Sequence, residues 1–340
     1  MRRATLAALL VLPLAACGGA SNTPNTPTSA DATHLFTGQT VNVVTGAPAG
    51  NLVVSAGTGN PVTADSSGNF TIDLGGSGTY RMDVRGGGFV ARETSISAAP
   101  DRVPVSMIPG SFDLFAFDEM FRTENARLQR WTTRPALVVV ATTMVFQSTG
   151  QNEFQASSEQ MSDDDVNQLV AHLSEGLTLM TANTFTSWAS VEVERPNAGD
   201  RVFVTRTGKV VVGRYSGIAT NANTIGYGRW SETSDGTVVG GAMFLDRDFD
   251  RNDPRRRLLR IHELGHALGY QHVKSRTSIM NPAIGPEPTE FDRTGAVIAF
   301  QRPPGNRSPD TDPVGVGVHT ALSTDSGGRW SSVICHVGTR

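Results

Sequence analysis

Cysteine is nearly absent. The 340-residue chain holds two, Cys17 and Cys335, so a Cys-rich zinc cluster is excluded and stability must come from a packed core. A surplus of charge of one sign is missing too. Twenty-nine Lys and Arg face 32 Asp and Glu, a net charge of −3, so no strong field directs the chain to nucleic acid or to an anionic membrane surface. Tyrosine is scarce at four while glycine is plentiful at 36, which favours loop-rich, β-containing architecture over a helical bundle. The N-terminal apolar run, from Ala4 to about Ala16, is too short to span a bilayer comfortably. Preceded by Arg2 and Arg3 and followed by small residues, it fits a secretory signal that is removed.

What is present describes an ordinary globular protein, 38% hydrophobic and 18% charged, long enough for two domains. The stretch Leu14-Ala15-Ala16-Cys17 resembles the lipobox of bacterial lipoproteins, which implies cleavage before Cys17 and its lipidation; the alternative is an ordinary signal peptide with a cysteine at its cleavage site. The chain is therefore expected at the bacterial cell envelope, lipid-anchored or secreted, with a membrane engaged only through that lipid. "GGASNTPNTPTSADAT" follows and cannot bury enough apolar surface to fold, so residues 17–33 are expected to be a tether after a signal peptide at 1–16. With Cys17 so assigned, Cys335 has no partner for an intramolecular disulfide and is expected to be an incidental thiol.

From about His34 to Met107 short β-type runs alternate with glycine and asparagine turns. Strands are expected at 40–44, 51–56, 69–74, 79–84 and 89–96, a small antiparallel β-sandwich over 34–108. "TGAPAGNLVV" followed by "ADSSGNFTI" resembles the carboxypeptidase-regulatory-like domain, which implies a spacer or a binding module. A helix is expected near 116–130, inside a helical linker at 109–134. "ALVVVATTMVF" is a continuous β-branched run, the mark of a central strand. Ser162 with Asp165 opens a helix on which Val166, Leu169, Val170, Leu173, Leu177 and Met180 recur at helical spacing. Strands are expected at 188–194, 201–205, 208–214 and 237–245. A helix with Asp253 as N-cap, Pro254 at its first position and Gly269 at its end comes next. A last one runs from Thr289, boxed by Asp292, to about Gln301.

The penultimate helix carries "RIHELGHALGYQH". Residues four apart share a helix face, so His262 and His266 can aim at one point, and a turn at Gly269 lets His272 return as a third ligand. Three neutral imidazoles suit Zn²⁺ and leave a fourth position for water, as a catalytic site requires. Glu263, about 100° around the helix from His262, is better placed to reach that water than the metal, and it is expected to face a solvated cleft.

His262-Glu263-x-x-His266-x-x-Gly269-x-x-His272 matches the signature of the metzincin zinc proteases. Met280 in "SIMNP" resembles the Met-turn of that family, and Pro282 resembles its matrixin branch. The resemblance covers roughly 135–301. It implies an α+β chain in which the sandwich precedes a metzincin-like domain over 135–340, a mixed twisted sheet with an active-site helix and Met-turn. It also implies a zinc metalloendopeptidase in which Glu263 is the general base and the partner is an extended peptide or protein added to an edge strand, expected at "GTVVGGAMFL". Departures from the family accompany it. No histidine lies between His172 and His262, so a second, structural zinc has no ligands there, and no cysteine-containing propeptide motif precedes the catalytic region. Asp246, Asp248 and Asp250 resemble a Ca²⁺ loop, but its sixth position lacks glycine and Arg257 stands where an EF-hand needs glutamate; a solvated turn and helix cap is expected there, with Ca²⁺ as the alternative. The competing functions are a non-enzymatic surface lipoprotein or binding module, against which the retained Glu263 argues, and a zinc amidase acting on cell-wall peptide.

Overall fold

The computed structural model describes residues 34–122, 126–316 and 329–335; the leader, Cys17 and the tether lie outside them. Seven strands come first: β1 (Leu35–Asn42), β2 (Val53–Ala56), β3 (Val62–Thr63), β4 (Asn69–Asp73), β5 (Thr79–Arg85), β6 (Arg92–Ser97) and β7 (Ala99–Met107). They make a three-stranded sheet, β4-β1-β7, and a four-stranded one, β3-β2-β5-β6. Alternation along β4 and β5 turns Phe70, Ile72, Met82 and Val84 inward, where they share a core with Phe36, Leu52, Val54 and Val105. One expectation needs correction: the pairing is not antiparallel throughout. β7, absent from the expected strands, runs parallel to β1, because it crosses from the other sheet instead of returning through a hairpin.

The remaining elements are α1 (Leu114–Phe121), β8 (Arg130–Trp131), β9 (Ala136–Val145), β10 (Glu153–Gln160), α2 (Asp163–Met180), β11 (Val191–Glu194), β12 (Arg201–Phe203), β13 (Lys209–Ser216), α3 (Ile218–Ala222), β14 (Gly226–Glu232), β15 (Thr237–Asp246), α4 (Arg247–Asn252), α5 (Arg256–Ala267), α6 (Glu290–Phe300) and β16 (Arg329–Cys335). Helix α1 is shorter than its periodicity suggests. Beyond it Leu128 donates its N–H to Asn306 O, and Arg130–Trp131 pairs with Thr237–Val238 of β15, so long-range ladder bonds replace further helical turns.

The large sheet runs β12-β10-β9-β13-β15-β14-β16, with β11 also on β9 and β8 on β15. β9, β13 and β15 are parallel, β14 is antiparallel to β15, and β16 is antiparallel to β14. The continuous apolar run of β9 is explained by burial on both faces. Leu137, Val139 and Ala141 enter the core shared with the helices, and Val138, Val140 and Met144 enter a second core on the other face. The result is an α+β arrangement of three sheets and few helices. Among the described residues no helix is long and apolar enough to cross a membrane.

Candidate metal centre

Helix α5 begins at Arg256, two residues later than the sequence suggests. Asp253 caps the end of α4 and bonds the Arg255 N–H through its carboxylate, while Arg256 N–H reaches Asp253 O, an i to i−3 turn that precedes the α-helical ladder. Just before the histidines the helix is pinned by charge. Arg260 makes two hydrogen bonds to the buried Asp250, which also holds Arg214 at 2.7 Å. Asp246 caps α4, and exposed Asp248 pairs with Arg247. These three acids thus serve as a helix cap and in three ion pairs.

The end of α5 follows from Gly269. At φ +101 this residue occupies a backbone region that costs a side chain strain. It lets Tyr270 N–H bond Gly265 O at 2.9 Å and Gly269 N–H bond His266 O at 3.0 Å, the paired bonds of a Schellman ending. The reversal brings His272 back beside the helix. His266 Nε2 then lies 3.1 Å from His262 Nε2 and 3.2 Å from His272 Nε2. Among the described residues this trio is the one cluster of three or more His, Cys, Asp or Glu side chains able to hold a metal.

The donor chemistry fits a cation. His262 Nδ1 donates to Ile279 O and His266 Nδ1 donates to Tyr270 O, each at 2.7 Å. A neutral imidazole with its proton on Nδ1 carries a lone pair on Nε2. Lone pairs facing each other so closely repel unless a positive centre lies between them. Tetrahedral zinc with bonds of about 2.05 Å would place ligand nitrogens about 3.3 Å apart, close to the separations found. Burial pushes the His262 imidazole down to about 4 despite its bond to Ile279 O. It pushes His266 well below the ordinary range, aided by the neighbouring His262 and His272. Both are therefore neutral at neutral pH, the form that ligates.

Two further supports fix the site. Met280 lies beneath the helix, where a Cβ on Gly265 would come within 2.5 Å of its sulfur. The turn holding it is fastened to α6. Thr289 and Asp292 form the reciprocal capping box, and Asp292 also accepts from Ser278 Oγ and Ile279 N–H. The helix cap therefore sets the carbonyl that orients His262. On the other side α5 rests on glycines of β14. A Cβ on Gly228 would collide with His266, and one on Gly226 would lie 2.7 Å from Glu263 Oε1.

That seat overturns one expectation and redirects another. Glu263 is fully buried, with its carboxylate against Gly226, and does not face a solvated cleft. β15, expected to offer an edge, lies inside the sheet between β13 and β14. The strand against the site is β14, which gave no recognisable signal in the sequence; both of its faces are buried and two of its glycines contact the helix. Cys335 ends β16, its backbone paired with Gly226. No curated protein matches the chain. The matrixin (Peptidase_M10) family model matches residues 228–296, from the glycine seat through the three histidines and Met280 into α6, and this match supports a zinc metallopeptidase.

Proposed function

We propose that the chain is a zinc metalloendopeptidase that cuts extended peptides, with His262, His266 and His272 as zinc ligands and Glu263 as general base. The observation that carries this reading is the convergence of three imidazoles whose Nε2 atoms face one another, with a carboxylate on the residue next to the first. Bound zinc would supply Lewis acidity to the attacked carbonyl and to the attacking water. Glu263 takes the proton from that water and delivers it to the leaving amine. Its burial keeps bulk water away from the carboxylate and strengthens its electrostatic influence. Ile279 O and Tyr270 O hold two of the imidazoles in the ligating tautomer. The substrate adds as a strand along β14, the strand in contact with Glu263 and His266.

Purified protein is expected to carry one tightly bound zinc per chain and to cleave members of a peptide library, with a chelator abolishing cleavage. His266→Ala should lose most of the metal. Elemental analysis that finds no zinc in fresh wild-type protein would refute the assignment.

In the same reading residues 34–108 are a carboxypeptidase-regulatory-like sandwich. Buried ion pairs from Arg92 to Asp310 and Asp312 favour a bracing role for it over that of a free spacer. The chain is held at the bacterial cell envelope by lipid on Cys17. Cys17→Ser should then release it from membranes, and unchanged fractionation would discard the anchor.

A further inference from the structure

Without β16, β14 would be the edge of the large sheet, and it is the strand on which the candidate site rests. Gly226 lies against the Glu263 carboxylate and Gly228 against His266. An extended peptide added to that edge would pass directly beside both residues. The edge is taken by the chain itself. β16 spans seven residues and pairs antiparallel along all of β14, from Glu232↔Arg329 through Gly228↔Val333 to Gly226↔Cys335. The pairing is continuous, and it ends at the glycine that touches Glu263.

We propose that residues 329–335 are an intramolecular plug of the peptide-binding edge, a strand of the chain's own that an extended substrate must displace from β14. The identity of what is excluded rests on the peptidase reading above. The plug uses the main-chain hydrogen bonds that strand addition offers to any partner. It is also favoured by tethering. Residues 317–328 join it to Val316, and a link of that length presents a strand to its edge at an effective concentration on the order of millimolar. A free peptide at micromolar concentration competes poorly against it, so the intact chain is expected to cleave at a fraction of its unplugged rate. No proline interrupts "RWSSVIC", as a ladder strand requires.

The test is carried out in the full chain with Ser332→Pro/Val333→Pro. Neighbouring residues of a strand point their N–H groups in opposite directions, so one of the two prolines must remove a donor from the ladder. Three results are expected relative to wild type. Amide exchange over Gly226–Glu232 should quicken. A fluorescent synthetic peptide of the sequence 329–335 should bind roughly tenfold more tightly, because its tethered competitor is gone. Library cleavage should rise by a similar factor. Should the proline chain fail to fold, Ser332→Gly/Val333→Gly keeps every N–H while loosening the strand, and the same ordering is expected. Unchanged exchange with unchanged peptide binding overturns the plug, as does equal cleavage by variant and wild type, which leaves the peptidase reading standing. A variant that binds the peptide more tightly yet cleaves nothing supports the plug and defeats the peptidase reading.

Discussion

Glu263→Gln is expected to lose at least two decades of peptide cleavage while keeping its zinc, since a positioned general base contributes ~10²–10⁴ in rate. Glutamine is the informative replacement because Glu263 is fully buried against Gly226. Alanine would open a void there and mix a packing loss with the chemical one, whereas the amide preserves the volume and removes only the basic oxygen. Zinc content should stay at one per chain, because among the described residues the three imidazoles alone form the cluster of ligating atoms. Single-turnover cleavage of a peptide that wild type cuts is the measurement. Comparable rates would place the activity elsewhere. A variant that loses its metal would make Glu263 a structural residue, and the roles within the motif would have to be reassigned.

The largest stability effect is expected from Asp310→Ala. Asp310 is fully buried and receives Arg302 through two hydrogen bonds at 2.7 Å, with Arg92 at 3.3 Å. Arg302 also reaches Ser106 of β7, and Asn306 bonds both Asp310 and Asp312. Burial alone would raise the Asp310 carboxyl, but Arg302 and Arg92 outweigh it and hold it down at about 2. Removing the carboxylate strips Arg302 of its acidic partner away from water and leaves Arg92 with Asp312 alone, a loss of about 3–5 kcal/mol, read by denaturant unfolding at neutral pH. The exposed pair Arg247–Asp248 supplies the contrast, since Asp248→Ala should cost no more than about 1 kcal/mol. The acid dependence has a definite sign. With its folded value below the unfolded one near 3.9, Asp310 contributes fully above about pH 4, and the contribution fades as pH falls toward 2. If Asp310→Ala costs less than about 1 kcal/mol, the N-terminal sheets are not braced through this cluster.

The convergence of His262, His266 and His272 was legible because its determinants are local. Four-residue spacing on a helix, a glycine that must end it and a histidine just beyond can all be read along a short stretch of chain. The capping box at Thr289 and the doubly buried run of β9 were legible for the same reason. What escaped was non-local. "GYGRWSE" has neither alternation nor a helical period, since both faces of β14 are covered and two of its glycines are shaped by α5. The burial of Glu263 depends on where that strand lies. The parallel pairing of β7, and Arg130–Trp131 as strand, depend on partners far along the chain. The alternating acids of 246–250 could suggest a cation loop, but their partners include Arg214, distant in sequence, which binds the Asp250 carboxylate in space.

The groups that orient His262 and His266 are main-chain carbonyls, Ile279 O and Tyr270 O. No point substitution can delete a carbonyl. Saturation mutagenesis should therefore find positions 270 and 279 permissive wherever the new side chain fits the core. Intolerance should concentrate on the residues that dictate where those carbonyls lie: Gly269, which sets the reversal, and Asp292, which holds Ser278 and Ile279. The tuning of the histidines is thus encoded at a distance of one step, in residues that touch no ligand, and a search for altered metal affinity would find its variants there.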